Sequence, residues 1–455
     1  MNREAKEKWV FRHKFLLIPL TIYLMLSLLY LLAVPPGESP DEPGHLQCIE
    51  QVSMLGQLPQ IDPKPEGDVW WARGKMISGR MCYHMPLYYL LAGGLQKGVA
   101  TAVQEPIDFQ FPPSNLSGPS PSMFNHPVKA SFWTLVEPTH LLILRFLSIA
   151  LGGVTVWASF TISRRLLPSQ PRVALLAALL TAVWPQFVYL SRALNNDSLA
   201  TALAVATLVI LLDVQKPQRF VWAALLAVLA LFSKLSVAFT AVAVLVVWGL
   251  EFLQAGSQRK QYIKYLLPSV SLFIVGFLLL FLTPTLWQHF TQSSRSFAAQ
   301  SEAVGEWSYW RDVLQLTASS GWVRFGWMNV AAPQGHAVAW WGLLLGTAVL
   351  GSIFIYKSPE KITIRLQLAI MLIWLMLIGL SYLQINLNRL QPQFRFALAS
   401  VPIFTTLSAA GWMMSMKGNG RLQNLTIFSI STSLLLYNGW VILYILKPAY
   451  NWYLP

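Results

Sequence analysis

Asp41 and Glu42 stand side by side just after the first hydrophobic run of the chain, and His45 follows one helical turn later. Three chemistries suit that spacing. A carboxylate held at a water–lipid boundary can take a proton from a hydroxyl as a general base. Paired carboxylates near a histidine can bind a hard divalent cation. The acids can also do no more than cap a helix and complement its dipole. The flanking residues supply that helix. Ser39 and Glu42 have capping-box spacing, Pro40 suits a first helical position, and Gly56 with Pro59 supplies a stop. Pro43 has no amide hydrogen, so a start at Asp41 or Glu42 fits equally; either start leaves both carboxylates at the N-terminal end. Leu46, Ile49, Val52 and Leu55 then form one apolar stripe, the pattern of a helix lying on a membrane surface.

The elements that must position these residues are membrane spans. Of 455 residues, 55% are hydrophobic and 11% charged, and apolar runs of spanning length recur. The expected fold class is therefore an all-α polytopic membrane protein with about 11 transmembrane helices. The spans read from the sequence are 15–34, 141–162, 173–190, 199–214, 221–232, 237–252, 265–286, 337–356, 366–383, 396–414 and 427–446. The first lacks a small-residue cleavage site and is expected to stay as an anchor. Arg3, Lys6, Lys8, Arg12 and Lys14 put the N-terminus in the cytoplasm by the positive-inside rule. Residues 1–455 read as one transmembrane domain with two long loops, both external. The first, 35–140, carries interfacial helices and more than half of the 19 acids; the second is 287–336. Long loops gathered on one face argue that the work is done there.

The net charge of +14 is spread over short cytoplasmic loop ends, which topology explains, so no nucleic-acid partner is indicated. Arg192, Lys234, Arg324, Arg389 and Arg395 break that rule by falling at or near external ends of spans. An anionic lipid head group would satisfy them. In the first loop, Tyr83 and His84 precede a second interfacial segment and would face the same boundary as Asp41. Asp41, Glu42 and Asp197, with His45 and His84, are hard ligands, but no zinc-type spacing occurs, and a divalent cation is left open. Cys48 and Cys82 both lie in the external loop; they are either a disulfide tying the two interfacial helices or two small apolar thiols.

In order along the chain, Asp41-Glu-Pro-Gly-His45, Leu58-Pro, His84-Met-Pro-Leu-Tyr-Tyr89, Arg145 and Asn195-Asn-Asp197 resemble the GT-C superfamily of integral-membrane glycosyltransferases. The nearer likeness is to the bacterial relatives of protein O-mannosyltransferases and aminoarabinose transferases. Phe232-Ser-Lys234 resembles the lysine at the outer end of that family's fifth span. Ser320-Gly-Trp-Val-Arg-Phe-Gly-Trp327 and Gln393-Phe-Arg-Phe396 look like its Gly-Trp and Gln-Gly-Arg-Tyr elements. The chain departs from the pattern at Phe394 for Gly, Phe396 for Tyr, Pro402 for an earlier Pro, and His84 for Glu.

The resemblance implies transfer of a sugar from a polyprenyl-phosphate donor to a lipid, glycan or protein acceptor on the external face of the plasma membrane. It implies an inverting displacement with Asp41 as general base, Glu42 beside it in the catalytic pair, and no required cofactor. Lys234 and Arg395 would stabilise the leaving phosphate, with Arg324 and Arg389 as further candidates. His45, Tyr83, His84 and Asp197 would orient substrate. The competing class is a flippase or transporter of a lipid-linked saccharide, for which intramembrane charges are equally natural. A scaffold without chemistry is the third. The concentration of polar groups on one face favours the transferase, because a transporter needs access from both.

Overall fold

In a computed structural model the chain is described at residues 3–58, 61, 70–72, 75–78, 81–107, 122–124, 138–214, 216–295, 302–357, 362–388 and 390–450. Inside a bilayer every backbone amide must be satisfied within its own segment, and these residues are overwhelmingly helical. The first helices are α1 (Arg3–Ala33), α2 (Glu42–Leu55), α3 (Leu87–Val103) and α4 (Thr139–Leu166). They are followed by α5 (Pro171–Ala182), α6 (Pro185–Ser191), α7 (Asn196–Leu211), α8 (Arg219–Ser233), α9 (Phe239–Gln254) and α10 (Arg259–Leu282). The second half holds α11 (Pro284–Arg295), α12 (Trp307–Ser320), α13 (Gln334–Lys357), α14 (Ile362–Asn388), α15 (Val401–Ser415) and α16 (Gly420–Val441). Two small antiparallel hairpins interrupt the helices, β1 (Trp70–Ala72) with β2 (Lys75–Ser78) and β3 (Arg324–Phe325) with β4 (Val330–Ala331).

Among the described residues, 8 segments are long and apolar enough to cross a bilayer as single helices, and α5 with α6 makes a ninth if counted as one span bent by 64°. The bend falls at Pro185, which has no amide to continue the ladder of α5 and instead opens α6. α7 and α8 are apolar but shorter, at 16 and 15 residues. The eleven segments read from the sequence are thus all helical, but two fall short of a full span and one is broken. α13 and α15 approach closely where Gly351 faces Gly411, since a Cβ on either would run into the backbone carbonyl of Leu407 or Thr347.

A large core centred on Trp184, Trp374, Phe187 and Tyr189 fills the bundle. A second core, built from Leu46, Ile49, Val52, Tyr88, Tyr89 and Leu144, lies beneath α2. This second core revises the membrane-surface reading of α2. Leu46, Ile49 and Val52 are buried against protein, and only Leu55 of the stripe is exposed. The docking partner is α3, whose Gly93 lets the helices touch: a Cβ there would sit 2.7 Å from Val52 Cγ1. An interfacial stripe and a packing stripe have the same sequence pattern, and the neighbour decides which one forms.

Candidate active site

The acidic helix begins at Glu42, one of the two starts that Pro43 allows, and not at the position the capping box implies. Its cap is Asp41, whose φ of 64° places it in the left-handed region, while its side chain makes no cap bond. That conformation is uncommon outside glycine and is tolerated best by short polar residues such as aspartate. Ser39 contributes its backbone carbonyl to the Glu42 amide, and its hydroxyl accepts from Arg192 Nη2 at 2.9 Å. Glu42 turns inward. Its carboxylate accepts from Gly37 N at 2.9 Å, Leu194 N at 3.2 Å and Arg145 Nη2 at 3.1 Å, with both charged partners fully buried. Three donors from three segments leave Glu42 as the anchor of the loop, whereas Asp41 faces the opposite way.

Asp41 Oδ2 accepts from Arg395 Nη2 at 2.7 Å, and Asp197 Oδ1 accepts from Lys234 Nζ at 2.6 Å. Lys234 and Arg395 both lie over the ring of Phe396, at 5.3 and 5.1 Å from its centroid, so the two ion pairs meet at one aromatic ring. Asp197 Oδ2 and Arg395 Nε are buried without a hydrogen-bond partner among the described residues. Both residues line one small cleft together with Thr155, Ser191, Asn195 and Thr201. Local sequence sets each side chain in place. Asn195 caps α7 by accepting from Ser198 N at 3.1 Å, which fixes Asp197 in the first turn. Lys234 terminates α8 in extended conformation, and Arg395 sits in a short 3₁₀ stretch, Phe394–Ser400, that leads into α15.

Against these pairs stands an aromatic and imidazole wall. The rings of His45 and His84 lie 5.9 Å apart, and Tyr83 lies 4.3 Å from His84. Burial, reinforced by the positive charge of Lys234 on both and of Arg395 on His45, holds both imidazoles well below the usual histidine range. Both are therefore neutral at pH 7. The amphipathic helix α11 secures the wall from the second loop: His289 Nδ1 meets His84 O at 3.0 Å and Ser293 Oγ donates to Tyr83 O at 2.7 Å.

Asp41, His45, Tyr83, His84, Asp197, Lys234 and Arg395 are thus gathered from distant parts of the chain. Arg324 is not gathered with them. Its Nε donates to Met328 O and its Nη1 to Ser319 Oγ, both at 2.9 Å, so it braces the β3–β4 hairpin. Arg389 lies outside the described residues. Among the described residues no group of three or more His, Cys, Asp or Glu is placed to hold a metal ion. Asp41, Glu42 and Asp197, the carboxylates considered for one, are each committed to a different cation. Cys48 and Cys82 form a disulfide.

Phe396 and Tyr89 also belong to the site, although in sequence they stand only as the last residues of Gln393–Phe396 and His84–Tyr89. The buried carboxylate of Glu38 accepts from Ser122 Oγ, Met123 N and Phe124 N and ties the far end of the first loop to the acidic helix. No local signal separates Glu38 from the other loop acids, nor His289 from any lone histidine.

A family profile described as dolichyl-phosphate-mannose-protein mannosyltransferase matches residues 130–287. ArnT of Cupriavidus metallidurans, solved bound to undecaprenyl phosphate, superposes with a TM-score of 0.52 at 12% identity, covering 93% of this chain and 63% of that one. The Archaeoglobus fulgidus oligosaccharyltransferase, solved with zinc and sulfate, superposes with a TM-score of 0.54 at 14% identity, covering 96% of this chain and 53% of that one. The chain has the GT-C glycosyltransferase fold. The likeness read from its motifs holds at the level of fold, and this chain spans only about three fifths and half of the length of those two structures. No curated protein matches it in sequence.

Proposed function

We propose that this GT-C chain is an inverting glycosyltransferase that moves a hexosyl or pentosyl group from a polyprenyl-phosphate carrier to a lipid, glycan or protein acceptor at the external face of the plasma membrane. The observation that carries the reading is the pair of carboxylate–cation contacts, Asp41–Arg395 and Asp197–Lys234, joined across Phe396. Two cations and two acids in one partly buried site are what a reaction needs when it both deprotonates a hydroxyl and expels a phosphate. The mannosyltransferase description of the family profile and the undecaprenyl phosphate bound to ArnT support a lipid-phosphate carrier.

In this mechanism the donor phosphate competes for Arg395 and Lys234, and Asp41 is released from its ion pair as a base. The acceptor oxygen attacks the anomeric carbon as its proton passes to Asp41. The bond from that carbon to the phosphate oxygen breaks, and the lipid phosphate leaves with the electron pair, stabilised by the two cations. A single displacement inverts the anomeric centre. Glu42, held by Arg145, Gly37 N and Leu194 N, anchors the start of the helix beside Asp41, while Asp197 holds Lys234.

The test is release of free lipid phosphate from a panel of polyprenyl-phosphate sugars by purified protein in lipid. Wild type is expected to turn over at least one donor, and Asp41→Asn to be slower by about 10²–10⁴-fold with folding unchanged. Because Asp41→Asn also frees Arg395, it should bind the lipid phosphate at least as tightly as wild type. Undiminished turnover in Asp41→Asn would remove the base. Movement of lipid-linked saccharide across the bilayer with no release from any donor would sink the transferase and favour the flippase.

A further inference from the structure

Tyr89 Oη lies 2.8 Å from His45 Nδ1 and 3.0 Å from Met81 O. The phenol has one proton and two neighbours that could take it. If Tyr89 donates to His45, the phenol makes one bond only, and the Met81 carbonyl keeps just the bond it accepts from His84 N at 3.2 Å. If it donates to Met81 O, His45 Nδ1–H can donate to the phenol oxygen, and both bonds are made. In this buried site two satisfied bonds win over one. Met81 is well placed to hold this order, because its amide donates to Gly44 O at 3.3 Å, next to His45, and the following residue, Cys82, is bonded to Cys48 on the same helix. His45 Nε2 makes no hydrogen bond among the described residues.

We infer that Tyr89 is a positioning residue that fixes His45 as the Nδ1–H tautomer, so that Nε2 presents a lone pair to the site and accepts a hydrogen bond from a substrate hydroxyl. This inference rests on the transferase reading for its substrate and sharpens it. With the opposite tautomer, Nε2–H would be a donor and would compete with Lys234 and Arg395 for phosphate. With this one, phosphate recognition is left to the cations, and His45 recognises the polyol part of the sugar or acceptor. The Met81–Tyr89–His45 chain then separates the two kinds of group that a glycosyl phosphate carries.

The tautomer can be read without any turnover, from [15N]histidine spectra of the protein in lipid nanodiscs at pH 7.5, with the His45 signals assigned by their loss in His45→Gln. Wild type should show a protonated Nδ1 and a bare Nε2, and Tyr89→Phe should move the population toward Nε2–H. A wild-type Nε2–H form, or no change in Tyr89→Phe, overturns the proposal. A binding measurement with polyprenyl phosphate lacking any sugar completes it. His45→Gln should leave that affinity within about 2-fold of wild type; a fall of tenfold or more would mean that His45 holds phosphate, which also overturns it. If wild type does not bind polyprenyl phosphate at all, the transferase reading fails, while the tautomer is still decided by the spectra.

Discussion

The two ends of α8 carry buried charges that have been put to opposite uses. At its start, Arg219 Nη2 donates to Glu251 Oε1, Tyr262 Oη donates to Glu251 Oε2 at 3.0 Å, and Arg219 Nη1 donates to Asp213 O at 2.8 Å. Of those three side chains only Arg219 Nε lacks a partner. These bonds span 32, 11 and 6 residues of sequence. At the other end, roughly 20 Å away, Lys234 pairs with Asp197 beside an Asp41–Arg395 pair whose members are 354 residues apart. There Asp197 Oδ2 and Arg395 Nε stay unpartnered, and Asp41 keeps part of its surface open at 21%. A network whose carboxylate has both oxygens paired, as Glu251 has, rigidifies the bundle. A network with spare donors and acceptors is poised for a ligand.

Breaking the closed end should cost most in stability. Arg219→Ala or Glu251→Ala strands a buried charge and is expected to destabilise the protein by about 3–5 kcal/mol. Thermal unfolding in detergent measures this, and the surviving folded fraction should bind lipid phosphate normally. Weakened phosphate binding in that fraction would erase the contrast between the two ends. Truncating the open end should act on rate. Lys234→Ala and Arg395→Ala are each expected to lower kcat/KM for donor by about 10²–10³-fold, with Lys234→Arg recovering part of the loss. An unfolding midpoint that drops as far as in Glu251→Ala would make Lys234 another scaffold charge.

The smallest effect concerns pH. His45 and His84 are held below their ordinary range, so the native state binds fewer protons than the unfolded chain between those values and the unfolded pKa of about 6.5. The stability they supply is complete above that unfolded value and is lost as pH falls through the native ones. The unfolding midpoint should therefore decline between pH 7.5 and pH 5.5, and the decline should be shallower in the His45→Gln/His84→Gln double variant. An unchanged slope would mean that both imidazoles are as free to protonate as in water.

Several features of the site were legible because they depend on neighbours in sequence. Asp197 stood in the Asn195-Asn-Asp197 element, and Lys234 was marked by its place just beyond an apolar run; that Asn195 caps α7 is a finding of the structure. Arg395 and His84 stood in motifs. Arg324 stood in one equally, yet its guanidinium closes a hairpin, because a cation's use depends on which acceptors the fold brings to it. The capping-box reading of Ser39 failed for a related reason: Arg192, 153 positions away, claims its hydroxyl.

The sequence by itself determined that the chain is a helical membrane protein with acids just after the first span and cations at the ends of later ones. Hydropathy and charge act residue by residue, so that much is written locally. Only the tertiary structure decided that Asp41 meets Arg395 while Glu42 meets Arg145, that the stripe of α2 is covered by α3, that Cys48 and Cys82 are joined, and that Tyr89 stands between His45 and Met81. Most of these contacts join different elements of the chain, at separations from 34 to 354 residues, and they are set by how the helices pack, which no stretch of sequence carries alone.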